Sequence, residues 1–203
     1  MGNVTCDIGV SVDGFAAGPS QSREEPLGVG GERLHRWMFE APEENREEID
    51  AILGHGAYIM GRNMFGPIRG PWDEPWDGWW GREPPYRAPV FVLTHHPREP
   101  IGMAGGTVFH FVTDGVEAAF ARARGAAGDR SISVAGGAST VDQFLAAGLI
   151  DELRLHIAPI VLGAGERLFV RSGDVRLETV SARANPLVAH VTYRVVRDAP
   201  RSG

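Results

Sequence analysis

No lysine occurs in the 203 residues, so all 20 basic side chains are arginine. That absence removes the P-loop lysine, Schiff-base lysine chemistry and the lysine of protein kinases. One cysteine excludes an intrachain disulfide framework. Cys6 lies in the apolar run 4–12 and reads as a small buried thiol. No apolar stretch approaches the ~18 residues that cross a membrane. No basic-then-apolar leader is visible, so the chain is expected in the cytoplasm. HExxH, CxxC and His-x-His spacings are missing, and no metal is expected. The GxSxG elbow and a complete GxGxxG after a strand are missing too. A net charge of −6 leaves no broad positive field for nucleic acid.

What is present is a globular composition, with 43% hydrophobic and 23% charged residues, suited to a single domain over 1–203. Short apolar runs at 3–12, 57–60, 90–94, 107–113, 131–135 and 150–158 read as strands. Helices are expected over 32–40, from Pro42 to about 53, over 114–126 and from Gly137 to 147. The first would put Leu34, Trp37 and Met38 on one face. Wholly apolar strands alternating with helices imply a mostly parallel α/β sheet covered on both faces. The alternating tail over 175–196, turning at Asn185-Pro186, implies an antiparallel C-terminal hairpin. Residues 67–89 hold six prolines and the four tryptophans Trp72, Trp76, Trp79 and Trp80. This insert is too aromatic for disorder and reads as either a lid over a planar ligand or a subunit contact.

In an open α/β sheet, ligands bind beyond the carboxyl ends of the strands. The residues there are Asp13-Gly14, Gly61-Arg62-Asn63, Thr94-His95-His96 with Arg98 near, and Gly136-Gly137-Ala138-Ser139-Thr140. Two of these are strand–glycine–helix junctions, where a backbone can approach a phosphate. Arg62 adds a permanent charge, and His95, His96 and Arg98 make a second cationic cluster. Two separated phosphate sites suit a dinucleotide that carries a third phosphate. His35, His55, His110, His156 and His190 are scattered and read as structural.

Five blocks in this order resemble the dihydrofolate-reductase-like family, in the branch of the reductase domain of riboflavin-biosynthesis deaminase-reductases. They are Ser11-Val12-Asp13-Gly14-Phe15, Ile59-Met60-Gly61-Arg62-Asn63, Val92-Leu93-Thr94, Val134-Ala135-Gly136-Gly137-Ala138, and the run from Gly148 through Asp151 and Gly163 to Leu168-Phe169. The resemblance implies a three-layer α/β/α fold and NADPH-dependent hydride transfer to a small nitrogen heterocycle or related conjugated bond. It implies that Gly61 and Arg62 begin one phosphate-binding helix and Gly136 to Thr140 another, with a Gly136–Gly137 peptide that is often cis, and homodimers; Asn63, Thr94, His95 and Ala135 beside these junctions are the further expected cofactor contacts. Two departures leave the substrate open. Ala135 stands where the riboflavin-pathway enzymes usually carry Glu, and the first helix lacks the inward carboxylate of folate reductases.

Asp13 is expected to bind the substrate and to route a proton, with a pKa raised by Phe15 and Trp37. Phe15, Trp37 and Trp76 are the other expected substrate contacts. A flavin- or deazaflavin-dependent reductase, or a non-catalytic nucleotide-binding protein on the same scaffold, are the alternatives.

Overall fold

A computed structural model of the protein describes residues 2–196. The chain runs β1 (Val4–Ser11), β2 (Phe15–Ala17), a 3-10 turn (Gly31–His35), α1 (Arg36–Glu40) and α2 (Arg46–Ile52). It continues with β3 (Ala57–Gly61), α3 (Arg62–Phe65), β4 (Pro89–Leu93), β5 (Ile101–Gly102) and β6 (Val108–Val112). Then come α4 (Val116–Ala127), β7 (Ile132–Gly136), α5 (Ala138–Ala146), β8 (Glu152–Ala158) and β9 (Glu166–Arg167). The hairpin β10 (Arg176–Asn185) and β11 (Val188–Val196) closes the fold.

Nine strands form one sheet in the order β10-β11-β8-β1-β7-β3-β4-β6-β5. The five strands β8, β1, β7, β3 and β4, with β6, run parallel, while β11, β10 and β5 add antiparallel edges. Every residue of β1 and β3 is buried, which is why β3 reads as an unbroken apolar run and β1 as a mostly apolar one. One face of the sheet carries Val4, Cys6, Ile8 and Val10 against Ala119, Ala123 and Ala127 of α4 and Val141 and Phe144 of α5. The small alanines of α4 let it lie close to the strands. Cys6 is fully buried, and that burial pushes its thiol well above the ordinary range, so it is inert.

The other face has no long helix. The 3-10 turn and α1 cover β1 and β8, with Leu34 and Trp37 sealed beneath them. The insert covers β3, β4 and β6. Trp72 packs on Phe111 with ring centroids 5.0 Å apart, and Trp80 on Tyr86 at 5.1 Å. The indole nitrogens of Trp72 and Trp76 donate to the carbonyls of His96 and Phe65. These tryptophans therefore form a packing layer, a use that neither reading of the insert had included.

Local boundaries differ from the sequence expectation for physical reasons. The helix expected over 32–40 breaks at His35 (φ −113°, ψ 6°) into a 3-10 turn and a five-residue helix. The helix expected from Pro42 starts at Arg46, because Asn45 turns back and its amide donates to the carbonyls of Trp37 and Ala41.

One buried carboxylate pins the segment after β9. Asp142 of α5 accepts the N–H groups of Phe169, Val170 and Arg171 at 2.8, 2.9 and 3.0 Å. It holds Phe169 at φ 65°, a left-handed conformation that costs a non-glycine residue. Asp142→Asn, which offers one acceptor oxygen instead of two, is expected to lower unfolding free energy by about 1.5–3 kcal/mol in urea titrations.

Candidate functional site

The sheet splits at its centre. β1 pairs with β7 only through Val4–Ile132 and Thr5–Ser133, whereas β1 stays paired with β8 up to Ser11–Ala158. On the far side β7 keeps pairing with β3 up to Gly136–Met60. Beyond Thr5, then, β1 and β7 diverge, and a cleft opens at the carboxyl ends of the parallel strands. Gly9 and Ser11 border it on one side, Ala135 and Gly136 on the other.

The two glycine junctions meet beside this cleft. A Cβ at Gly61 would lie 2.4 Å from Thr140 Oγ1, so only glycine lets β3 end against the first turn of α5. Gly136 has φ 128°, and the Gly136–Gly137 peptide is cis, as the resemblance implies. A Cβ at Gly137 would meet nothing within 4 Å, so this backbone faces open space at the start of a nine-residue helix. Ala138 and Thr140 are buried, while Ser139 is exposed.

Arg62 begins a helix of only four residues, too short to offer a helix dipole. Its guanidinium donates to Thr94 Oγ1 and the Gly70 carbonyl, both at 3.1 Å, and lies over the Trp72 ring. Burial, followed by the nearby charges of Arg69 and Arg98, lowers its pKa to about 10. Its Nε is buried without a partner. Asn63 and His95 are exposed, and Thr94 is buried. Arg98 donates to the Trp76 carbonyl and so ties the insert to the end of β4.

Asp13 departs from its expected state. Its carboxylate accepts the N–H groups of Leu162 and Gly163 at 3.0 and 2.7 Å. The Ser11 hydroxyl, together with those two amides, lowers its pKa to about 2, so the raised value expected of a proton donor is corrected. Trp37 is a second correction. It is 1% exposed, with its ring 4.9 Å from those of both His156 and His190, and it does not line the cleft. Phe15 is half-buried in the small β2–β9 sheet, near the Arg167 guanidinium. Trp76 is half-buried beside Gly66 and Trp79.

The residues passed over in the sequence lie under Trp37. Asp7 is on the β1 face that carries Gly9, with Arg154 and His156 on β8 beside it. Asp7 Oδ1 lies 3.5 Å from His156 Nε2 and 3.6 Å from Arg154 Nη1. His156 Nδ1 faces His190 Nδ1 at 2.8 Å, and His190 Nε2 faces Asn45 Oδ1 at 3.0 Å. His35 lays its ring on Gly9, with Nε2 3.5 Å from where a Cβ would stand. The available signal was a charged residue at position 7 within a wholly buried strand.

Residues 3–189 match the family described as the RibD C-terminal domain. The chain belongs to this family. A 41-residue stretch is 49% identical to the uncharacterized protein YyaP of Bacillus subtilis (strain 168), a match covering 20% of this chain and 22% of that protein. A putative riboflavin biosynthesis protein from Shewanella sp. PV-4 superposes with a TM-score of 0.63 at 22% identity, over 96% of this chain and 99% of that one. Dihydrofolate reductase from Enterococcus faecalis, complexed with NADP(H) and RAB-propyl, gives 0.55 at 14% identity, over 95% and 96% of the two chains. The dihydrofolate-reductase-like fold expected from the sequence is thus the fold of this RibD-type domain. Among the described residues no group of three His, Cys, Asp or Glu side chains could hold a metal, and no helix is long and apolar enough to cross a membrane.

Two outcomes test the local geometry. Gly61→Ala should destabilise the domain by about 1–3 kcal/mol through overpacking on Thr140, measured by denaturant unfolding. Asp13→Asn should destabilise it at neutral pH. Because the folded pKa is depressed from 3.8 to about 2, the ionised carboxylate stabilises above pH 3.8. The difference between wild type and Asp13→Asn should therefore disappear as pH falls from about 4 towards 2.

Proposed function

We propose that the domain is a reductase that binds NADPH and adds a hydride and a proton across a C=N or related conjugated bond of a small planar nitrogen heterocycle. The observation that carries this reading is the open backbone of Gly137 at the start of α5, beside a cleft where β1 and β7 part. Peptide N–H groups at such a helix start suit an anionic pyrophosphate. The neighbouring charges of Arg62, Arg69 and Arg98 fit a further phosphate. Membership of the RibD C-terminal family and the NADP(H) of the Enterococcus complex support the same cofactor class.

In this reading Gly136 to Thr140 hold the pyrophosphate. Gly61, Arg62, Thr94 and His95 face the nucleotide end, with Asn63 and Ala135 flanking. When bound, NADPH supplies the hydride. The chain orients the acceptor along the β1 side of the cleft, and such positioning is the larger share of the catalysis. Asp13 acts as an anchor for the 162–163 turn that flanks the cleft rather than as the acid. Phe15 and Trp76 are the aromatic contacts this reading assigns to the acceptor. A homodimer in the cytoplasm, acting on a small molecule, is the setting this reading assumes.

Gly137→Ala tests it. The added methyl meets no protein atom and the residue's φ of −68° admits alanine, so the melting temperature should hold. NADPH affinity, read by calorimetry, should fall at least about tenfold, the range of one lost charged hydrogen bond. Wild-type protein that takes up flavin and not NADPH, or neither, would reject the assignment.

A further inference from the structure

Among the described residues, eight buried side-chain nitrogen or oxygen atoms lack a hydrogen-bond partner. Two are on Arg62 and Arg124. The other six are Thr5 Oγ1, Asp7 Oδ1 and Oδ2, His35 Nδ1, Trp37 Nε1 and His156 Nε2. All six belong to one seam, where β1 and β8 meet the 31–40 segment. Buried polar groups are nearly always satisfied, and exceptions concentrated in one place mark function rather than packing.

The hydrogen-bond directions in this seam are determined. Asn45 Nδ2 faces two carbonyls, so Asn45 presents Oδ1 as an acceptor to Asn185 Nδ2 and His190 Nε2. His190 Nε2 must then carry a hydrogen. Burial, with His156 beside it, lowers the His190 pKa to about 4, so His190 is neutral and its Nδ1 is bare. His156 Nδ1–H donates to that bare nitrogen at 2.8 Å. The second nitrogen of His156 is left facing the Asp7 carboxylate at 3.5 Å, with no hydrogen-bond partner of its own. Arg154, itself paired with Glu152, offsets the Asp7 charge from the other side.

His35 is the member of the seam that lies against the β1 border of the split. It is half-buried and rests on Gly9 there, and His156 is the β8 residue paired with Gly9. Burial, followed by His156, lowers its pKa, and the Gly31 backbone opposes this weakly.

We propose that His35 is the catalytic acid of this site and that the Asp7–His156–His190–Asn45 chain positions it. The proposal rests on the reductase reading above. As hydride arrives at carbon, the C=N π pair moves to nitrogen and forms an N–H bond with the proton leaving His35. The coenzyme is oxidised and the C=N bond is reduced to CH–NH. Solvent restores the proton that His35 gives up.

The experiment combines ring NMR of the histidines with turnover of 7,8-dihydropterin by NADPH, in wild type, His35→Gln and His156→Gln. His35 should titrate below the ordinary imidazole range in wild-type protein, and its midpoint should rise in His156→Gln. Its ring signals should also move when 7,8-dihydropterin is added without coenzyme. His35→Gln should lose about 100-fold or more in kcat, together with the wild-type rise in rate as pH falls, at nearly unchanged KM and NADPH affinity. Retained rate and pH slope in His35→Gln would overturn the proposal. So would His35 signals indifferent both to dihydropterin and to His156→Gln. Should wild type fail to bind NADPH, the reductase reading falls by that result alone, and the two NMR readings still decide whether His35 faces the cleft and is coupled to the seam.

Discussion

The parting of β1 from β7 beyond Thr5 is the constraint from which the rest of the site follows. A continuous parallel sheet would pair all of its backbone groups with neighbouring strands and leave no room for a ligand. Here the sheet is held together at the bottom by two residue pairs and on either flank by longer ladders. The gap between the flanks lies at the carboxyl ends of the strands. Gly61 is obliged to be glycine by Thr140, and Gly136 by its positive φ, so both junctions close up tightly beside the gap.

The two faces of the sheet are solved differently. The α4–α5 face packs on the sheet through apolar, alanine-rich contacts. The opposite face is divided between an aromatic insert over β3, β4 and β6 and a polar seam over β1 and β8. Each unpaired buried group in that seam costs about 1–3 kcal/mol. Those costs fall where the short 31–40 segment crosses the strands, next to the gap. Trp37 closes the seam from above and shields it from water, which strengthens every electrostatic interaction beneath it.

The long strands could be read from the sequence because both of their faces are buried, which turns them into unbroken apolar runs such as 57–60 and 90–94. The glycine junctions were legible for a similar reason, since Gly61 and Gly136-Gly137 directly follow such runs. The two-residue strands β5 and β9 carry no periodicity at all. The histidine seam was illegible because parallel register brings Gly9 beside His156, and neither residue announces the other over such a separation in sequence. Asp13 misled because an Asp-Gly at a strand end fits both a substrate carboxylate and a loop anchor, and only the amides of Leu162 and Gly163 distinguish the two. The tryptophans of the insert were recognisably ordered. Their target, the uncovered face around Phe65, Phe109 and Phe111, emerges only once the sheet is assembled.

Amide hydrogen exchange with and without NADPH tests the central claim most directly. The account requires new protection confined to the Gly61–Arg62 and Gly136–Thr140 junctions and the end of β4. Protection absent from those segments in coenzyme-saturated protein, or appearing instead along the β10–β11 hairpin, would contradict it.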